Sequence, residues 1–276
     1  MSEDPYLTAG DITEYLDTSS DFAFELQCLE LLTHWKYECT HGGSYIDPIT
    51  QKPRQFDIRL HKQCDRRRHI RCAIECKNIK PDRPLVVLCV PRTEGESYHE
   101  LVRGHDRPFP HRSTDVFTPT WASVIHVQNS PYEVGEPVGK SCALLAKEKN
   151  RVTGTDSEVF QKWAQALASL NDLIADATMA GYWNATTVDT LLLPIVVVPN
   201  NTLWRADFDD GGGRRGVPTL VKRCSFFVDH TRNADPEMTI SHLEFVTTDG
   251  LLELMATLTS TTMGNRWIPD SIVAGT

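Results

Sequence analysis

No stretch of the sequence approaches the ~18 consecutive apolar residues that a membrane-spanning helix needs, so neither a span nor a membrane partner is expected. The opening residues, Met1 to Tyr6, include Glu3 and Asp4 and have no apolar core, so they do not read as a secretory signal. There is no Cys-x-x-Cys pair, and the eight cysteines keep no regular spacing, so no zinc site is indicated. Cys28, Cys72, Cys76 and Cys89 lie in apolar runs, where a free thiol behaves as a small hydrophobe. Reduced thiols and a cytoplasmic location are the corresponding expectations. A complete phosphate loop is also missing. In Gly135-Glu136-Pro137-Val138-Gly139-Lys140-Ser141 three residues separate the glycines where four are needed, and Ser130-Pro131-Tyr132-Glu133 precedes them in place of a buried strand. No internal repeat is visible, nor any break in composition that would demand a second domain. A general excess of positive charge is lacking too: the net charge is −9, which argues against a general nucleic-acid binder.

What is present is a local reversal of that charge. Residues 51–80 hold ten Lys or Arg against three acids, Asp57, Asp65 and Glu75. Such a segment would attract a polyanion and release counterions on binding. The alternative is a solvated hairpin turn at Asp65-Arg66-Arg67-Arg68-His69.

The 276 residues, 40% hydrophobic and 24% charged, suit a globular chain of one large or two small domains. A polar arm is expected over 1–20, with a short helix at Ile12–Leu16. A helix over about 21–36 follows, capped by Ser19 or Ser20 and with Asp21 at the positive end of its dipole. On it Glu25 shares a face with Phe22, Leu29 and Leu32, whereas Glu30 looks solvated. Residues 42–53 read as a loop, with Asp47 before Pro48 a turn residue or an extra ligand. Strands are expected near 54–61, 69–77 and 84–90. Residues 91–155 read as a loop-rich insertion, interrupted by a strand at Trp121–Val127. His99, His105 and His111 within it are spaced too widely for one helical face. Thr155 and Glu158 form a capping box for a second helix, whose stripe of Phe160, Trp163, Leu167, Leu170, Ile174 and Ala177 reads as core, with Gly181 as its stop. Lys162 and Gln165 face away from that stripe. Leu191–Val198 reads as a strand buried on both faces, 207–216 as a flexible loop, 221–228 and 240–246 as strands, and 248–259 as a helix. The order of elements is that of an α/β fold, a mixed sheet flanked by helices, over 21–276.

One constellation carries chemistry. Asp57 lies in the apolar run Gln55-Phe56-Asp57-Ile58-Arg59, and Ile74-Glu75-Cys76-Lys77-Asn78 follows eighteen residues later. Alternation along a strand puts Ile70, Cys72, Ile74 and Cys76 on one face and Arg71, Ala73, Glu75 and Lys77 on the other. If Asp57 occupies a neighbouring strand, two carboxylates and an ammonium converge. That is a set able to hold a hard divalent cation against a phosphodiester.

The pattern resembles the PD-(D/E)XK phosphodiesterases, the restriction-endonuclease-like nucleases, over about residues 20–90. It departs from them in having Phe56, not proline, before the first acid. The resemblance implies a restriction-endonuclease-like fold and a Mg²⁺- or Mn²⁺-dependent nuclease. Asp57, Glu75 and the backbone carbonyl of Cys76 would hold the metal. Lys77 would orient the attacking water, and Glu25 would be the supporting acid contributed by the preceding helix. Some nucleases of this fold also place a polar residue from the later helix beside the metal, but no role passes to Lys162 or Gln165. The implied partner is nucleic acid, DNA ahead of RNA, met through segment 51–80. Many duplex-cutting members act as dimers, so a homodimer is compatible. Two other readings stand beside this one: a non-catalytic nucleic-acid-binding relative, and a structural or interaction protein in which Glu75 and Lys77 form a surface ion pair.

Overall fold

The computed structural model describes residues 6–18, 20–113, 116–232, 236–260 and 264–270; for 111–113 and 116–119 it describes the backbone alone. Ser19 and the side chain of His111 therefore lie outside the described residues. The expected short helix is longer, α1 (Ala9–Thr18). Thr8 and Asp11 start it by a reciprocal cap, the Asp11 N–H donating to Thr8 Oγ1 and the Thr8 N–H to Asp11 Oδ2. Helix α2 (Phe22–His34) buries Phe24, Cys28 and Leu32 at four-residue spacing. The face expected from Phe22, Glu25, Leu29 and Leu32 is thus rotated: Phe22 is exposed and Glu25 sits at the margin.

Strands β1 (Glu38–His41), β2 (Ser44–Ile46), β3 (Pro53–Gln55), β4 (Ile58–Gln63), β5 (Arg68–Cys76) and β6 (Leu85–Pro91) follow. β2 and β3 form a small separate hairpin. Its turn is fixed by Asp47, whose Oδ1 accepts the N–H groups of Ile49 and Thr50 and whose Oδ2 pairs with Arg54. The turn reading of Asp47 therefore has its physical basis.

The loop-rich insertion expected over 91–155 is instead strand: β7 (Tyr98–Ser113), β8 (Val116–Gln128), β9 (Pro137–Glu148) and β10 (Arg151–Thr155). β7 and β8 pair as a long ribbon whose inner part buries Leu101 and Val102. Beyond Gly104 the described side chains of β7, His105 to Pro110, are half-buried or exposed. Pro108 falls where the register shifts between Gly104 and Phe109, a place where a missing donor costs little.

Helix α3 (Ser157–Asn184) starts after Thr155 has served as the last residue of β10, so the expected capping box does not form; Asp156 takes the cap position. Leu167, Leu170, Ile174 and Ala177 are buried as expected, but Phe160 is exposed. Gly181 does not stop the helix, which ends at Ala185 in the left-handed conformation. Gly181 instead meets Gly104 of β7 backbone to backbone, and a Cβ at position 181 would run into the Gly104 carbonyl.

The remaining elements are β11 (Val188–Val198), β12 (Leu203–Phe208), β13 (Arg214–Leu220), β14 (Arg223–Arg232), β15 (Met238–Thr247) and α4 (Thr248–Thr259). The flexible loop expected over 207–216 is largely the β12–β13 hairpin, and only its glycine-rich tip turns. Among the described residues thirteen strands join in one mixed sheet in the order β1-β4-β5-β11-β15-β14-β9-β6-β12-β13, with β10 attached to β9 and the β7–β8 ribbon attached to β11. β5, β11 and β15 run parallel. Every residue of β11 is buried, Pro194 included. A proline is unusual at the centre of a sheet because it has no N–H for the ladder. Here β11 is paired by β7 up to Leu191 and by β15 from Ile195, so Pro194 falls in the gap between the two partners.

Ile74, Cys76, Ile195 and Val197 pack on one side of the sheet with residues of α2 and α4, and Ala73 and Leu192 pack on the other with α3. The alternation expected along 70–77 is therefore the observed one. The architecture is a mixed α/β sheet with helices on both faces. Among the described residues no helix is long and apolar enough to cross a membrane.

Two expected outcomes follow from this packing. Gly181→Ala should lower stability by roughly 1–3 kcal/mol through overpacking, measured by denaturant unfolding; an unchanged midpoint would refute the backbone contact. Burial also lowers the pKa of His69 and His99 to about 4 and of His242 to about 2. The stability tied to their neutral form is fully present above the unfolded value of about 6.5 and is lost as pH falls towards those folded values. Unfolding free energy should decline from pH 6.5 to 4, and His242→Gln should flatten the decline.

Candidate active site

Three elements deliver the charged groups. β4 and β5 pair antiparallel with Ile58 opposite Ile74, so Asp57, one residue before, comes level with Glu75. Asp57 is fixed by its own Oδ2, which accepts the N–H of Cys76 at 2.7 Å. Glu75 faces α3 and is 1% exposed. From the second turn of α3 the Lys162 ammonium enters: its Nζ stands 2.7 Å from Asp57 Oδ2, 3.6 Å from Glu75 Oε2 and 4.0 Å from Asp21 Oδ2. A cation thus stands beside both expected carboxylates, and it belongs to the protein.

Lys77 follows Glu75 on the same side of β5, as strand alternation requires. Its ammonium pairs with Asp21 at 3.5 Å and Glu158 at 3.0 Å. Asp21 connects the two lysines, and its other oxygen accepts the N–H of Asn78 at 2.8 Å. Lys77 is therefore one ion pair removed from Asp57 and Glu75. Glu25 pairs with neither lysine: its Oε2 lies 3.4 Å from His41 Nε2, so histidine supplies the partner for which Lys77 or a metal was expected.

The electrostatics follow from burial. Desolvation, then the charge of Asp57, pushes Glu75 well above the ordinary carboxylate range. The same two causes raise Glu25. Burial alone would lower Lys162, but Asp57 and Glu75 outweigh it and hold the ammonium charged. Neither carboxylate oxygen of Glu75 has a hydrogen-bond partner of good geometry. A buried, unsatisfied carboxylate is costly. Two carboxylates of which one is unsatisfied suit a hard divalent cation. Among the described residues no three His, Cys, Asp or Glu side chains form a ready metal cage.

Two cavities meet at Asn78. One, of about 420 Å³, is lined by Lys77, Lys80, Arg83 and Glu158; the other, of about 510 Å³, lies between α1, α2 and Pro199. Asp57 and Glu75 line neither.

The positive field expected from residues 51–80 is largely neutralised from other parts of the chain. Arg59 pairs with Asp172, Arg71 with Asp176, Arg54 with Asp47, and Arg68 with Asp65 and Asp270. Lys52, Arg66 and Lys80 stay exposed.

Sequence reasoning missed Lys162, Asp21, Glu158 and His41 as members of the cluster. A signal for Lys162 existed: Val159, Ala166 and Ser169, at offsets of three, four and seven, are buried on its face. The helix has a second inward face beside the aliphatic stripe. The chain matches no family model, no curated protein and no solved structure.

Glu75 is protonated in the fold over a pH range where the unfolded chain has lost that proton, so its burial lowers stability progressively as pH rises above 4.5. In chelator, Glu75→Gln should therefore raise the melting temperature at pH 7–8 by roughly 2–4 °C, the shift for about 1 kcal/mol at this chain length. The gain should vanish near pH 4. A loss of stability at neutral pH would mean that Glu75 is satisfied in a way this geometry does not contain.

Proposed function

We propose that the chain is a divalent-metal-dependent nuclease of the restriction-endonuclease-like type. The observation that carries this reading is Glu75: a buried carboxyl level with Asp57, its oxygens lacking a hydrogen-bond partner of good geometry, with the Lys162 ammonium beside both acids. Asp57 and Glu75 are the residues that would hold Mg²⁺ or Mn²⁺, with the Cys76 carbonyl as the third donor. A cation bound there would supply Lewis-acid charge and a water acidic enough to attack phosphorus.

The chain's own residues have separable tasks. The hydrogen bond from the Cys76 N–H orients Asp57. Lys77, at the wall of the cleft with Lys80 and Arg83, faces an incoming phosphate and would stabilise its charge. Glu25 adds negative charge beside Asp57 and raises the demand for a cation. Lys162 keeps the two carboxylates together by pairing with both. DNA is the substrate favoured ahead of RNA.

One observation favours the second reading, a nucleic-acid-binding relative without catalysis. Lys162 already neutralises the acidic pair, and the pair does not line the open cleft.

Incubation with single- and double-stranded DNA and RNA, in Mg²⁺, Mn²⁺ or chelator, separates the readings. Metal-dependent cleavage is expected. Lys77→Ala should reduce it by about 10²-fold or more, the scale of a positioned acid–base or electrostatic group, while sparing metal affinity. Asp57→Ala should abolish both. Cleavage that persists in chelator, or at the parental rate in Asp57→Ala, would overturn the assignment. Lys162→Met should tighten Mn²⁺ binding in calorimetry, because it removes the resident competitor.

A further inference from the structure

A second concentration of cations lies on the sheet face opposite α3. Glu244 of β15 is level with Ile195 and points, like it, towards the α4 side. Above it opens a cavity of about 340 Å³ whose walls carry four guanidinium groups, Arg92, Arg205, Arg223 and Arg266, against two lining carboxylates, Glu133 and Glu136.

The four are not equivalent. Arg223 is fixed: it donates twice to Glu244, at 2.7 and 3.0 Å, and lies over the Trp267 ring. Glu244 also accepts from Tyr132 Oη and Ser225 Oγ, so its capacity is spent within the wall. Arg205 lies 3.0 Å from Asp207, yet neither atom of that pair has hydrogen-bond geometry. Arg266 pairs with Glu133, which is 53% exposed. Exposed pairs of this kind are weak and readily exchanged.

Arg92 is the anomaly. It is 4% exposed and, among the described residues, makes no direct ion pair, Glu244 and Glu136 acting on it only from farther off. One Nη donates to the Glu133 carbonyl at 3.1 Å, the group lies over the Tyr132 ring, and its buried Nε has no partner. A buried cation that no anion touches, and whose Nε donor is unfilled, is costly unless a ligand completes it.

We propose that this cavity binds a phosphomonoester, with Arg92, Arg205 and Arg266 gripping the dianion and Arg223 forming the rigid floor. One guanidinium fork saturates the two oxygens of a carboxylate. Three forks with unfilled donors call for the greater number of acceptor oxygens and the second charge of a terminal phosphate. The volume is within the range of small-ligand sites and accommodates a mononucleotide. None of these four arginines contacts Asp57 or Glu75, so the proposal stands independently of the metal site. The phosphate has two sources, a free nucleotide or the 5′-phosphorylated end of a strand.

Calorimetry at low ionic strength with inorganic phosphate, AMP, and one oligonucleotide in 5′-phosphate and 5′-hydroxyl forms tests it. Phosphate and AMP should bind, and AMP affinity should fall about tenfold or more in Arg205→Ala and Arg266→Ala, both near the surface and expected to fold. Arg92→Gln should lose more if it folds. Asp57→Ala should bind AMP as the parent does. A tenfold preference for the 5′-phosphate oligonucleotide identifies a strand end as the ligand; AMP binding with no such preference identifies the free nucleotide. The proposal is overturned if no probe binds, if sulfate and chloride bind equally, or if Arg205→Ala and Arg266→Ala bind AMP like the parent.

Discussion

The Lys162 ammonium, paired with both Asp57 and Glu75, is the interaction on which the candidate site depends. Without it two carboxylates would face each other in a region that excludes water, and like charges at that depth cannot both stay ionised. It also joins α3 to the β4–β5 hairpin at the point where the chain's chemistry concentrates. The second lysine is held one pair away by Asp21, so four acids and two lysines form a connected lattice. Each charge is partly satisfied and none fully, which is the condition under which a ligand ion or phosphate can redistribute them.

The sheet places these groups through a change of partner. β11 is buried along its whole length and serves β7 with its first half and β15 with its second. The proline at the changeover lets one strand belong to two ladders without wasting a donor. The parallel trio β5, β11 and β15 can then carry Glu75 towards α3 and Glu244 towards α4. Glu244 is saturated by Arg223, Tyr132 and Ser225; Glu75 is not. The same residue type at similar depth thus becomes a structural anchor on one face and a candidate ligand on the other.

The parts of this arrangement that were legible in the sequence are those that depend on short-range periodicity. Alternation along residues 70–77 gave the facing of Glu75 and Lys77, and the continuous apolar run of 191–198 gave a strand covered on both sides. Three features were not legible, each for a physical reason. The β7–β8 ribbon carries prolines, histidines and arginines past Gly104, where the described side chains over 105–110 are half-buried or exposed, and strand patterning weakens where little is buried. Lys162 stands on a helix with two inward faces, and the more strongly aliphatic one masks the other. Three arginines of the basic run 51–80 are paired with Asp172, Asp176 and Asp270, which lie about a hundred or more positions away and are brought near only by the fold.

The attachment of α3 has a mechanical consequence. Near its C-terminal end the helix touches β7 glycine against glycine, with no side chain to yield. Midway, two partly exposed arginine pairs clasp it to β4 and β5. About 28 Å from the glycine contact, at 1.5 Å per residue, it ends in the cluster of lysines and acids. Between these ends Val159, Leu167, Leu170 and Ile174 are buried in the core, so the helix is held along its whole length and behaves as one stiff lever. A displacement at the glycine contact would therefore be carried undiminished to Lys162 and Glu158, and the acidic pair would register a change made in the ribbon.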